Sequence, residues 1–402
     1  MKRVLALILA MMMILFAFAS CADDESIETE EVTENQTESQ TEKQTKKASS
    51  TKKNTSNSNN TNNGDNGNSN NNNTANSVNV EDWNKGTYTR DGDKITFGYY
   101  PQTRVTDKSL TATLSSMAGV LPTSGNPQSW TSYGYYIEDG VSKFMWYIDV
   151  SVNGEGYRGV YFTSYRPFYT SNSSSEDETF QDDNGYRTKT VYWFKYEPIS
   201  WTILSENTSN GTALILCDMI LDSQAFQNEY EFDFDTYEYY NTSNGVPRGT
   251  YGNNYEYSTI RKWLNETFYD TAFNELQKQI VLTTTVDNSF AGTGYNGDKY
   301  GCKNTEDKIF LLSAQEVTNA SYGFASSVSA LDTARQKKTT DYAKAQGIAV
   351  SPEIDYNGNA WWRLRTYHET GVRIVSDNGL IGEDDISFTA DGIVPALQIK
   401  LS

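Results

Sequence analysis

The stretch Tyr196-Glu197-Pro198-Ile199-Ser200-Trp201-Thr202-Ile203-Leu204, followed after Ser205 to Gly211 by Ala213-Leu214-Ile215-Leu216-Cys217, decides the fold. Within its first part, Ile199 to Leu204 reads as a strand. Its second part is an unbroken apolar strip, which reads as a central strand, and the intervening polar segment joins the two as a hairpin. Shorter runs of the same kind flank it. Asp91-Gly92, Asn153-Gly154 and Asn378-Gly379 each sit between strand-like runs, and such pairs accept the positive φ that tight hairpin turns need.

Helical patterns are fewer. From Ser258 to Phe268 the large apolar residues fall at 260, 263, 264 and 268, one face of a helix with Ser258 as its N-cap. A second helix is expected from Thr271 to Ile280, burying Ala272, Phe273, Leu276 and Ile280. Ser313 and Glu316 have capping-box spacing after an expected strand from Lys308 to Leu312, and Asp341 to Gln346 reads as a short helix stopped by Gly347. Helices and strands do not alternate, so the expected class is α+β with a mainly antiparallel sheet.

Before Trp83 the composition is different. Lys2 and Arg3 precede an apolar run from Val4 to Ala19, and Cys21 follows Phe18-Ala19-Ser20. This is the layout of a signal peptide, and small residues before a cysteine resemble a bacterial lipobox, with Phe18 in place of the usual Leu. Residues 1–21 are therefore expected to be a lipoprotein signal peptide with lipid on Cys21, anchoring the chain at the extracytoplasmic face of a bacterial membrane. Residues 22–80 are acidic, then basic from Lys43 to Lys53, then an Asn/Ser/Thr tract. With almost no large apolar side chain they are expected to form a disordered tether, spanning about 45 Å as a coil and about 200 Å extended.

All eight Trp lie from Trp83 onward, so residues 81–402 hold the core-forming capacity. Across the chain 33 basic residues face 52 acidic ones, and the net charge of -19 excludes nucleic acid as an expected partner. The single histidine, His368, makes His-based metal sites and His-dependent triads poor expectations.

Several segments together resemble a bacterial family, domain of unknown function 6273, found in exported proteins. They are Ile95 to Gln102, Tyr196 to Leu204, 213 to 217, Ser258 to Phe273, Asp307 to Ser313, Trp361-Trp362-Arg363-Leu364-Arg365, and Gly392-Ile393-Val394-Pro395-Ala396-Leu397. Tandem Trp then Leu-Arg, with Gly-x-x-Pro-Ala-Leu on the final strand, also looks like the end of lectin-like domains related to formylglycine-generating enzymes. The resemblance implies a C-type-lectin-like arrangement, with an inserted β-rich subdomain at about 104–190. Arg363 stands between Trp362 and Leu364 where the family runs Trp-Trp-Leu-Arg, and Val394 replaces a usual Arg. The oxidase activity of the second group is not expected, because the cysteine pair it needs near the C-terminus is missing and the last cysteine is Cys302.

Candidate chemistry centres on Trp361, Trp362 and Arg365. Adjacent tryptophans on a strand face opposite ways, and an outward indole beside Arg365 can stack a sugar ring. Trp361, after Ala360, is expected to be the more buried, and Trp362, before Arg363, the outward one. From Glu229 to Tyr239 acids and aromatics alternate, placing them on opposite faces of a strand; Asp233 and Asp235 supply oxygens suited to Ca²⁺, but a solvated acidic edge is the simpler expectation. A disulfide between Cys217 and Cys302 is permitted by export and not specified by spacing. No cofactor and no catalytic set is expected. The expected function is ligand binding or display at the cell surface, towards a glycan or a surface protein. The alternatives are an exported hydrolase acting on polysaccharide through a carboxylate pair and a wall-associated structural protein.

Overall fold

The computed structural model describes residues 83–401, apart from 124–125, 134–136, 139–140, 143–144, 163–183 and 296–299. The expected signal peptide with Cys21, the expected tether and residues 176–183 lie outside the described residues.

The 17-residue strand Val191–Asn207 organises the main sheet. One edge pairs with Lys94–Arg104; the other takes Glu155–Phe162 along its first half and Thr212–Cys217 along its second. Outward from Thr212–Cys217 lie Ala396–Lys400 and Val281–Leu282; outward from Glu155–Phe162 lie Met145–Val152 and Thr131–Tyr133. With Thr89–Asp91 this makes nine strands, every pairing antiparallel. A five-stranded sheet follows the order Asp222–Ser223, Gly392–Ile393, Trp362–His368, Gly371–Val375, Ile381–Asp384, and only the contact of Gly392 with Trp362 is parallel. The class is α+β with mainly antiparallel sheets.

Three strands of the 104–190 stretch, Thr131–Tyr133, Met145–Val152 and Glu155–Phe162, extend the main sheet instead of forming a sheet of their own, because Tyr157 to Tyr161 pair directly with Val191 to Lys195, while Ile137–Glu138 and Val141–Ser142 pair with each other. Alternation along the long strand sends Phe194 into the main core and Trp193 into a second cluster with Leu114, Ala118, Trp130, Trp146, Val150 and Tyr157. The Trp193 ring crosses Gly159, where an added Cβ would lie 2.8 Å from it, and its Nε1–H donates to Ser115 Oγ at 3.1 Å.

Helix Thr259–Trp263 starts where expected, with the Ser258 side chain accepting from the Arg261 amide, and it runs through a π-helical turn, Leu264–Phe268, into Tyr269–Ala272. Ile260, Trp263, Leu264 and Phe268 are buried. The expected helix from Thr271 to Ile280 is not continuous: Phe273 is extended, and Asn274 restarts a short helix, Glu275–Lys278, through a full capping box with Gln277. Leu276 consequently points to solvent. Lys308 to Leu312 is no regular strand; Phe310 alone bridges to Ala396. Ser313 and Glu316 do cap each other, at 2.7 and 3.1 Å, over a single 3₁₀ turn. Helix Asp341–Ala345 ends before Gly347, at φ 102°.

Candidate functional site

The alternating acids and aromatics form a hairpin, Tyr230–Asp233 against Glu238–Asn241. Its turn is set by Asp233, whose Oδ1 accepts from the amides of Asp235 (2.8 Å) and Thr236 (3.1 Å), and Tyr237 takes a φ of 57°. Asp233 is thereby committed to the turn, and among the described residues no group of three or more His, Cys, Asp and Glu side chains is gathered to hold a metal ion.

Register separates the two faces. Phe232 opposes Tyr239, and these rings pack with Tyr230 and Phe234 at centroid distances of 4.9 to 5.0 Å. Tyr239 donates to Asp385 Oδ2 at 2.5 Å, tying this face to the loop after Ile381–Asp384. On the other face Glu231 opposes Tyr240, whose hydroxyl donates to Glu238 Oε2 at 2.7 Å. Tyr240 lies flat on Tyr251, with centroids 5.3 Å apart and planes at 26°, and Tyr251 meets Tyr300 edge-on at 4.6 Å. Tyr251 can come this close because Gly252 has no side chain: a Cβ there would stand 2.4 Å from Ile386 Cδ1 and 3.1 Å from Tyr239 Cβ. The row continues electrostatically to Tyr295 and Glu369, which act on the Tyr300 phenol after burial, the main cause of its raised pKa. Tyr295 in turn packs on Tyr367 at 5.2 Å and His368 at 4.9 Å. His368 contacts Glu383, and burial first, then Arg373, lowers its pKa and favours the neutral ring.

Behind the hairpin base lies an open groove of about 680 Å³ lined by Glu229, Ser243, Tyr257, Arg261, Lys262 and Lys308 among others. Ser243 Oγ donates to Glu229 at 2.6 Å, Arg261 is held by Asp307 at 2.6 Å, and Lys308 sits 4.1 Å from the Tyr269 ring centroid. The walls carry cationic donors and carboxylate acceptors side by side.

Trp361, Trp362 and Arg365 are not exposed together. Trp362 is fully buried, Arg365 is 2% exposed, and Trp361 is 36% exposed, so the expected burial order of the tryptophans is reversed. The reason is that Arg363 does not mark an outward face. Its guanidinium is buried, donating to the carbonyls of Gln224, Asp385 and Phe388 and facing Asp391 at 3.3 Å. A register shift between Arg363 and Tyr367 accompanies burial on both faces of this strand. Arg365 binds Glu316, the Leu311 carbonyl (2.9 Å) and the Asp287 carbonyl (3.2 Å), and so clamps loops together instead of rimming a ligand site.

Cys217 and Cys302 are both free thiols. Burial pushes Cys217 up to about 12 and raises Cys302, so neither is poised as a nucleophile. The Asp384 and Asp391 carboxyl groups are hydrogen-bonded to each other, and Asp391 is 1% exposed. Burial pushes Asp391 up to about 8 despite Arg363. The sequence reading missed Tyr240, Tyr251, Tyr295 and Tyr300; only the total of 28 Tyr hinted at them.

Residues 210–401 match the model of a family described as Domain of unknown function (DUF6273), and this segment belongs to it. Ile95 to Gln102 and Tyr196 to Leu204 lie outside the matched residues. No curated protein and no solved structure matches the chain.

Proposed function

We propose, with the membership of residues 210–401 in that family as premise, that the chain is a lipoprotein anchored through Cys21 at the outer face of a bacterial membrane. Its domain binds or displays a ligand there, a glycan or a surface protein, and its sheets are arranged in a lectin-like way. The observation that carries this reading is the row of Tyr240, Tyr251 and Tyr300. Ring faces stacked and half-buried on the surface, with hydroxyls and carboxylates alongside, are the groups that hold sugar rings or the aromatic and polar side chains of a partner. The net charge of -19 weighs against nucleic acid and other polyanions.

The test is a panel of wall-type glycans and purified surface proteins presented to the full chain and to Tyr251→Ala. Saturable binding lost in the variant is the expected result. A panel that binds neither, or binds both equally, removes the reading. The hydrolase alternative gains no specific observation, since Asp391, the partner of half-buried Asp384, is closed off from solvent.

A further inference from the structure

We propose that the tyrosine row on the acidic face of the Tyr230–Asn241 hairpin binds a glycan carrying free amino groups, such as unacetylated glucosamine units; this rests on the ligand-binding reading above. Backbone, ring and charge observations converge on it.

The backbone there is already used. Asn241 donates its amide to the Thr250 carbonyl at 2.8 Å, and Gly252 donates to the Tyr239 carbonyl at 2.7 Å. Strand addition by a peptide at the Tyr239–Asn241 edge is thereby blocked, so recognition beside Tyr240 falls to side chains. Those side chains are ring faces and acids. Tyr240 and Tyr251 are stacked and half-buried, Tyr300 completes the row, and aromatic faces pack against the CH-rich side of a flat ring. Glu231 is exposed directly opposite Tyr240 in the register, exposed Glu369 donates its amide to the Tyr295 hydroxyl at 3.4 Å, and Glu238, itself buried, accepts from the Tyr240 hydroxyl. Carboxylates beside aromatic faces attract an ammonium through both Coulomb and ring-quadrupole terms and repel phosphate, sulfate or uronate groups. An acetylated amine loses that attraction while keeping the ring and hydroxyls. Charge complementarity therefore selects the amino form.

The experiment is calorimetric titration of the full chain with a glucosamine oligomer, the matching N-acetylglucosamine oligomer and an oligolysine. The glucosamine oligomer is expected to bind at least about tenfold more tightly than the acetylated one, and to weaken steeply between about 50 and 500 mM salt. Tyr251→Ala should lower its affinity roughly 5- to 150-fold, by the usual worth of one stacked ring. Glu231→Gln, an exposed change that spares the fold, should weaken the glucosamine oligomer and leave any binding of the acetylated one unchanged. Equal binding of the two oligomers, with loss in Tyr251→Ala, overturns the amino-group inference and leaves the ligand-binding reading in place. Tighter binding of oligolysine assigns the row to a basic protein and overturns the glycan. Binding unaffected by Glu231→Gln, or no binding of either sugar, also overturns the inference, whereas the ligand-binding reading is still decided by its own panel.

Discussion

The indole Nε1–H of Trp362 donates to the main-chain carbonyl of Arg335 at 3.0 Å, and the buried Arg335 guanidinium spreads its own donors over the carbonyls of Val317, Ala325, Ser327 and Gly379. A core tryptophan thus fixes the residue that staples a long irregular segment to the sheet.

Trp362→Ala should therefore cost about 3 to 5 kcal/mol of stability, through a large cavity and a carbonyl left without its donor. Trp361→Ala, at a partly exposed position, should change stability by less than about 1 kcal/mol. Urea unfolding followed by tryptophan fluorescence compares them directly. Comparable losses from both would contradict the opposed orientation of the two rings.

The Asp384–Asp391 pair should make stability pH-dependent. Asp391 has a folded pKa raised to about 8 from an ordinary 3.8, with burial as the first cause. The folded state holds this proton more tightly than the unfolded chain, so the contribution is complete below about pH 4 and is lost as pH rises towards 8. The midpoint of thermal unfolding is expected to fall between pH 5 and 8 by this term, and Asp391→Asn should flatten the slope. An unchanged slope in Asp391→Asn would place the dependence elsewhere.

Gly252→Ala should push Tyr251 off Tyr240, because its Cβ would meet Ile386 at 2.4 Å. A loss of about 1 to 3 kcal/mol is expected, with a change in near-ultraviolet circular dichroism from the displaced tyrosines. A variant with native stability and spectrum would show that the loop has room to yield.

The border between tether and domain should be sharp at Trp83. Its ring lies 5.0 Å from Tyr196 and covers Gly156, and the next residue, Asn84, is fully buried, donating to Gln277 Oε1 at 2.9 Å. Deleting 22–80 should shift the melting temperature by no more than a degree or two, while deleting through Asn84 should lower it clearly. Equal shifts from the two deletions would remove this border.

Cys21→Ala should release the protein from the membrane fraction or leave its precursor uncleaved, and the wild type should take up a palmitate analogue. Wild-type protein that is never labelled would end the lipid-anchor proposal.

The sequence by itself determined the elements whose causes are local. Asn153-Gly154 forms a two-residue hairpin turn with φ of 55° and 77°, Ser258 caps its helix, and the strip 213–217 is an inner strand, each from neighbours a few residues away. Alternation separated acids from aromatics at Tyr230 to Asp233 and at Glu238 and Tyr239, where a paired strand enforces a period of two, but not at 234–237, which form the turn. Only the tertiary structure decided which indole is buried and where the arginines point. Arg363 and Arg365 look like surface residues in sequence, yet their donors are taken by carbonyls and acids from Gln224, Leu311, Glu316 and Phe388, brought in by distant loops. The tyrosine row likewise joins residues 240, 251 and 300, which share no periodicity, and Gly252 lets the chain beside Tyr251 pass close to Tyr239. A buried charge or a surface ring cluster depends on partners remote in the chain, and local sequence carries no record of them.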